Sequence, residues 1–113
     1  MSPVTTHVLD TSTGLPATGI KVSLESLTKD KWVSVAWGTT DDDGRLREML
    51  PPDFRIERRH YRLVFDTAAY FAARKVDAFY PVVIIVFDVL DPHDHYHVPL
   101  LLSPFGYSTY RGS

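Results

Sequence analysis

An all-β fold, two sheets packed as a sandwich with one short helix, is what this chain predicts, and three observations carry the prediction. Apolar residues recur at every second position along much of the 113-residue sequence, the period of a half-buried strand. Clusters rich in proline, glycine and aspartate separate these runs, as turn chemistry does. A single segment carries helical content instead. Seven or so short strands separated in this way describe a two-sheet sandwich.

In the first run, Val4 to Leu9, Val4 and Val8 share one face while Thr5 and His7 share the other. Ile20, Val22 and Leu24 then alternate with Lys21, Ser23 and Glu25. Trp32 to Thr39 is aromatic and β-branched, and ends at Thr40-Asp41-Asp42-Asp43-Gly44, a turn that leaves Arg45 in a loop. Tyr61 to Asp66 forms the next strand. Alanine-rich Thr67 to about Arg74 follows as the one helix, with Asp66 or Thr67 as its cap. Val82 to Val89 is apolar on both faces and predicts a central strand. In His97 to Leu102, Val98, Leu100 and Leu102 form the core face and His97, Pro99 and Leu101 point outward. Pro99 cannot donate to a ladder, which predicts an edge or a bulge at that strand. Ser108 to Arg111 reads as a last edge strand.

Composition bounds the rest. The length predicts one domain spanning 1–113. The absence of cysteine excludes disulfides and thiolate metal sites. A formal charge of −2 with interspersed signs gives no footprint for nucleic acid. The longest apolar run, Val82 to Phe87, is too short to span a bilayer, and MSPVTTHVLD lacks a basic lead and an apolar signal core. The expectation is a soluble, cytoplasmic protein with no nucleic-acid or membrane partner.

Strand parity turns His7 and His97 outward, beside Pro99 and Leu101. Such a semi-apolar outer face fits a surface covered by another subunit. Singly, an outward histidine or a loop arginine such as Arg45 is an ordinary solvated residue; their weight comes from occurring together. His93, His95 and His97 alternate, flanked by Asp91 and Asp94, and an extended segment would line them on one face for zinc or copper. Pro92 and the His/Asp alternation suit an exposed polar loop better, so no metal is assigned. No Gly-x-Ser-x-Gly elbow and no cysteine offers a nucleophile. The terminal Tyr110-Arg111-Gly112-Ser113 is rich in hydrogen-bonding groups and follows an apolar run, whereas termini are usually polar filler. It reads as an end docked into a site.

Five blocks, THVLDTSTGLPATGIKV, TDDDGR, YRLVFDTAAYF, FYPVVIIVF and HYHVPLLLSPFGYSTYRGS, resemble in order the transthyretin-related family. Within it they are similar to its 5-hydroxyisourate hydrolase branch, the YRGS ending most specifically. The resemblance implies an eight-stranded, two-sheet transthyretin-like sandwich with one helix. It also implies edge-to-edge dimers assembled into a homotetramer, and hydrolysis of 5-hydroxyisourate in urate degradation without a cofactor. By motif, the implied catalytic residues are His7, Arg45, His97 and Ser113, with Tyr110, Arg111 and Gly112 binding substrate. Imidazole titrates near neutrality, so His7 or His97 can serve as base; the reading leans to His7, with Arg45 and His97 acidifying the water. Arg45 suits the developing oxyanion. Arg111, Ser113 and the terminal carboxylate would close the pocket, without a covalent intermediate. The rival reading is a transthyretin-like carrier, whose channel should be apolar.

Overall fold

The computed structural model describes residues 2–113; Met1, counted in the expected domain 1–113, lies outside the described residues. Period-two alternation becomes strand wherever one face can be buried. The strands are β1 (Val4–Asp10), β2 (Leu15–Pro16), β3 (Lys21–Thr28), β4 (Lys31–Thr39), β5 (Arg45–Leu46), β6 (His60–Phe65), β7 (Val83–Asp88), β8 (Tyr96–Ser103) and β9 (Gly106–Thr109). The helix α1 spans Thr67–Ala73, and Asp66 caps it by accepting from the Ala69 N–H at 3.3 Å. One sheet runs β2-β1-β8-β9 with β5 also paired to β1, and the other runs β4-β3-β6-β7. Between them pack Val4 and Val8, Val22 and Leu24, Leu63 and Phe65, Val83, and Leu100 and Leu102, all essentially inaccessible to solvent. The two-sheet sandwich with one helix expected from the sequence is therefore present, with β2 and β5 as two-residue strands that the alternation did not reveal.

Three expectations are corrected. The apolar run after Pro81 was expected to be central, yet β7 lies at a sheet edge. Its inner residues Val83 and Ile85 are buried, but Ile84 and Val86 are 42% and 56% exposed. Hydropathy reports that both faces are apolar, not that this chain covers both. The last strand is β9, two residues earlier than expected, because Ser103 pairs with Gly106 across a tight turn.

Pro99 is the third correction: β8 is an interior strand, flanked by β1 and β9. The side of β8 that bears His97 and Pro99 carbonyls faces the chain end, since Gly112 donates to the His97 carbonyl and the Thr109 hydroxyl to that of Pro99. The missing N–H therefore falls on the tail side, where the regular β9 ladder has stopped at Thr109 and resumes only as a bridge between His97 and Gly112. An interior strand accommodates proline at such a gap.

A buried polar link ties the helix to the end of β1. Tyr70 donates its hydroxyl to Asp10 Oδ2 at 2.8 Å, while Ser12 donates to Oδ1 from both N–H and hydroxyl. Burial alone would raise the Asp10 carboxyl, but the bonds from Ser12, Tyr70 and Thr13 outweigh it and hold its pKa below the ordinary value. Burial, with Asp10 beside it, pushes the Tyr70 phenol up to about 12. Tyr70→Phe is expected to cost about 1.5–3 kcal/mol, the range for a hydrogen bond to a charged group. Because the folded-state pKa of Asp10 is depressed, the carboxylate's contribution is present above the ordinary value of 3.8 and lost as pH falls through the folded value. Denaturant unfolding at pH 7 checks the cost; a loss under about 0.5 kcal/mol would contradict it.

Candidate active site

Register, more than sequence proximity, assembles the site. In the parallel β1–β8 pair, Thr5 lies opposite His97 and His7 opposite Pro99. In the antiparallel β1–β5 pair, His7 lies opposite Arg45. Directly opposed residues share a sheet face, so Thr5, His7, Arg45, His97 and Pro99 all project from the outer face of one sheet. The expected outward orientation of both histidines holds. Arg45, expected in a loop, is instead the first residue of a strand.

The TDDDG turn delivers Arg45 to that strand. Asp41 Oδ1 accepts from the N–H groups of Asp43 and Arg45, each at 2.9 Å. Gly44 has φ of +72°, and a Cβ there would collide with the Val8 carbonyl oxygen. Only glycine combines that φ with so close an approach. Val8 in turn donates to the Gly44 carbonyl at 2.8 Å, docking the turn on β1.

Thr5, Thr6, Arg45, Arg47, His95, His97 and Ser113 line a cavity of about 240 Å³ on this face. The expected residues Arg45, His97 and Ser113 thus meet. His7 flanks the group, close enough to His97 for the two rings to interact electrostatically. Gly112 donates to the His97 carbonyl at 2.8 Å, and a Cβ on it would lie 2.5 Å from His97 Cδ2. Tyr110 and Arg111 turn to a different cavity of about 260 Å³ beside β7 and β9. There the Arg111 guanidinium stacks 4.7 Å over the Tyr96 ring and reaches toward the His95 carbonyl at 3.4 Å. Within one chain, then, Ser113 reaches the first cavity, Gly112 packs against His97, and Tyr110 and Arg111 line the second cavity, which His97 also borders.

Both imidazoles are held below their ordinary value of 6.5. For His7 the chief cause is burial, followed by the Arg45 charge, against an opposing backbone hydrogen bond at Asp43. For His97 it is burial, then His95, Arg45 and His7. Near pH 7 both rings are consequently neutral, each with a lone pair to offer. Neither Arg45 nor Arg47 has an ion-pair partner among the described residues. The cluster pairs neutral bases with unneutralised guanidinium groups, which suits removing a proton from water next to a carbonyl whose oxygen gains charge.

His93, His95 and His97 do not form one face. His93 sits in the turn before β8 and contacts Asp91, and no metal-holding group of three His, Cys, Asp or Glu occurs among the described residues. Extended alternation begins only at Tyr96, too late to align His93. Thr5, Arg47 and His95 went unassigned as site residues. Parity offered a signal for each: Thr5 alternates with His7, Arg47 with Arg45, and His95 with His97.

Similarity to known proteins agrees with this arrangement. The chain matches the HIUase/Transthyretin family over residues 4–112. It is 45% identical to the 5-hydroxyisourate hydrolase of Mus musculus, covering 99% of this chain and 96% of that one. Among solved structures, the 5-hydroxyisourate hydrolase of Klebsiella pneumoniae superposes with a TM-score of 0.85 at 34% identity, covering 97% and 98% of the two chains. Sea bream transthyretin in complex with thyroxine gives 0.89 at 33% identity, covering 98% and 95%. Backbone similarity alone therefore does not separate hydrolases from transthyretins, but with β1, β5 and β8 converging as described and residues 4–112 matched, the chain belongs to the HIUase/Transthyretin family.

Proposed function

We propose that this protein hydrolyses 5-hydroxyisourate to 2-oxo-4-hydroxy-4-carboxy-5-ureidoimidazoline, a step of urate degradation. The observation that carries the reading is the meeting of Arg45, His97 and Ser113 at one cavity, with His7 opposite Arg45. Water adds its oxygen to the ring carbonyl carbon while an imidazole, His7 or His97, takes its proton. Arg45 stabilises the oxyanion. The C–N bond then breaks as the leaving nitrogen is protonated, with no covalent enzyme intermediate. Ser113 closes the cavity, and Gly112 lets the tail lie flat against His97.

A homotetramer fits the same reading. Both β7 and β9 end their sheets, and unprotected edges invite pairing with a second copy. Val86, Phe105, Tyr107 and Tyr110 nearby are 43–70% exposed. Pairing there would cover Tyr110 and Arg111 and bring them into the substrate's surroundings.

A carrier function is disfavoured by the two imidazoles and two guanidinium groups on the outer face. Ultraviolet absorbance during urate oxidation separates the two readings: a hydrolase accelerates decay of the transient intermediate, and a carrier leaves its lifetime unchanged. The pH profile adds a sharper expectation. With the pKa of each imidazole depressed, the neutral base persists below pH 6.5, so kcat/KM should hold its plateau down to that value and fall at lower pH. An acid limb centred above 6.5 would contradict the assignment.

A further inference from the structure

His97 must accept a proton in surroundings that disfavour its charged form, with Arg45, His95 and His7 all close. One hydroxyl joins it to a ring that water can reach. Thr5 Oγ1 lies 2.8 Å from His97 Nδ1 and 3.1 Å from His95 Nε2. Thr5 itself is 4% exposed, whereas His95 is exposed and His97 half-buried. The two imidazoles lie nearly parallel, 16° apart with centroids at 6.5 Å. Thr5 holds this position because register places it opposite His97.

We propose that Thr5 and His95 form a proton relay that holds His97 as its Nδ1–H tautomer and shares with solvent the charge His97 acquires during hydrolysis. The inference rests on the hydrolase reading above and settles its open choice of base in favour of His97.

A threonine hydroxyl carries one proton, so it donates to one ring and accepts from the other. The ring nitrogen within reach of Thr5 Oγ1 is Nδ1; in the relay it carries the proton, and the Thr5 hydroxyl accepts from it and donates in turn to His95 Nε2. His97 Nε2 is left with its lone pair, the form a base needs.

The step balances. Water's oxygen bonds to the carbonyl carbon and its proton passes to His97 Nε2, making an imidazolium. The Nδ1 proton moves to Thr5 as Thr5's own proton moves to His95 Nε2, and the positive charge now sits on the exposed ring, where water solvates it. When the C–N bond breaks, Nε2 gives its proton to the leaving nitrogen and both relay protons shift back. His97, Thr5 and His95 return to their starting state, and the new carboxylic acid loses its proton to solvent.

Three variants and one spectrum test this. Thr5→Val keeps the shape and removes the relay, and should lower kcat about 10-fold or more with KM changed less than about twofold. Thr5→Ser retains a hydroxyl and should stay within about threefold of wild type. His95→Ala should lose turnover that added imidazole restores, whereas imidazole should not rescue Thr5→Val. Nitrogen-15 NMR of the unmodified protein should show neutral His97 protonated at Nδ1, a readout independent of any variant's folding. Wild-type kcat in Thr5→Val and His95→Ala, beside an inactive His97→Ala, would overturn the relay while leaving the hydrolase reading intact. An Nε2–H tautomer in the resting protein would also overturn it. Wild-type turnover in His97→Ala would remove His97 as the base, and the relay with it, whereas an unchanged lifetime of the intermediate with the unmodified protein would remove the hydrolase reading.

Discussion

Replacing Arg45 or His97 by alanine is expected to lower turnover of freshly generated 5-hydroxyisourate by about 10²–10³-fold, the usual cost of removing one oxyanion donor or one general base. The sandwich should survive both changes. Arg45 has no ion-pair partner among the described residues, and His97 projects from the outer face, away from the core of Val98, Leu100 and Leu102. Removing either leaves no buried group stranded, so the midpoint of unfolding should hardly move. The loss should fall on kcat, because a charge that forms only as the ring opens is stabilised only then. Arg45→Lys should recover little, since an ammonium lacks the planar, multiply donating guanidinium. Near wild-type kcat in both alanine variants, in properly folded protein, would defeat the assignment.

Removing residues 110–113 should be as damaging, reducing turnover to below about a hundredth of wild type, while the sandwich and its assembly persist. The β8–β9 ladder ends at Leu100 and Thr109, so the truncation leaves the regular ladder whole and removes only the isolated His97–Gly112 bridge. It does remove Ser113 from the cavity, together with the Gly112 N–H that binds the His97 carbonyl. A point variant makes the same case without shortening the chain. A Cβ on Gly112 would fall 2.5 Å from His97 Cδ2 and 3.1 Å from Pro99 Cγ, and the rigid Pro99 ring cannot move aside. Gly112→Ala must displace either the imidazole or the tail, and an order-of-magnitude loss of turnover is expected. Gel filtration beside the absorbance assay reads both quantities. A truncated protein that assembles and still turns over substrate would exclude a role for the tail.

Much of the fold was legible because the signals are local. Alternation placed β1, β3, β4, β6 and β8 within a few residues, and Asp66 announced the start of α1. Parity turned His7 and His97 outward before any partner strand was known. Other features escaped because their cause is remote. β5 is too short for a periodic signal and exists because Gly44 docks its turn against Val8. β7 is apolar on both faces although this chain covers one. Pro99 argued for an edge because its tolerance depends on where the tail bridge falls, almost at the end of the sequence.

By itself, then, the sequence determined which residues face outward and which motifs accompany them, because side-chain parity follows from the backbone period within one strand. Which outward residues meet was decided only by tertiary structure. Thr5 opposite His97, His7 opposite Arg45 and Gly112 against His97 are facts of register between segments up to 92 positions apart. No local preference encodes such a register: a slip of one residue would turn every one of these side chains to the other face, and the burial of Val4, Val8, Val98 and Leu100 in a shared core prevents that slip.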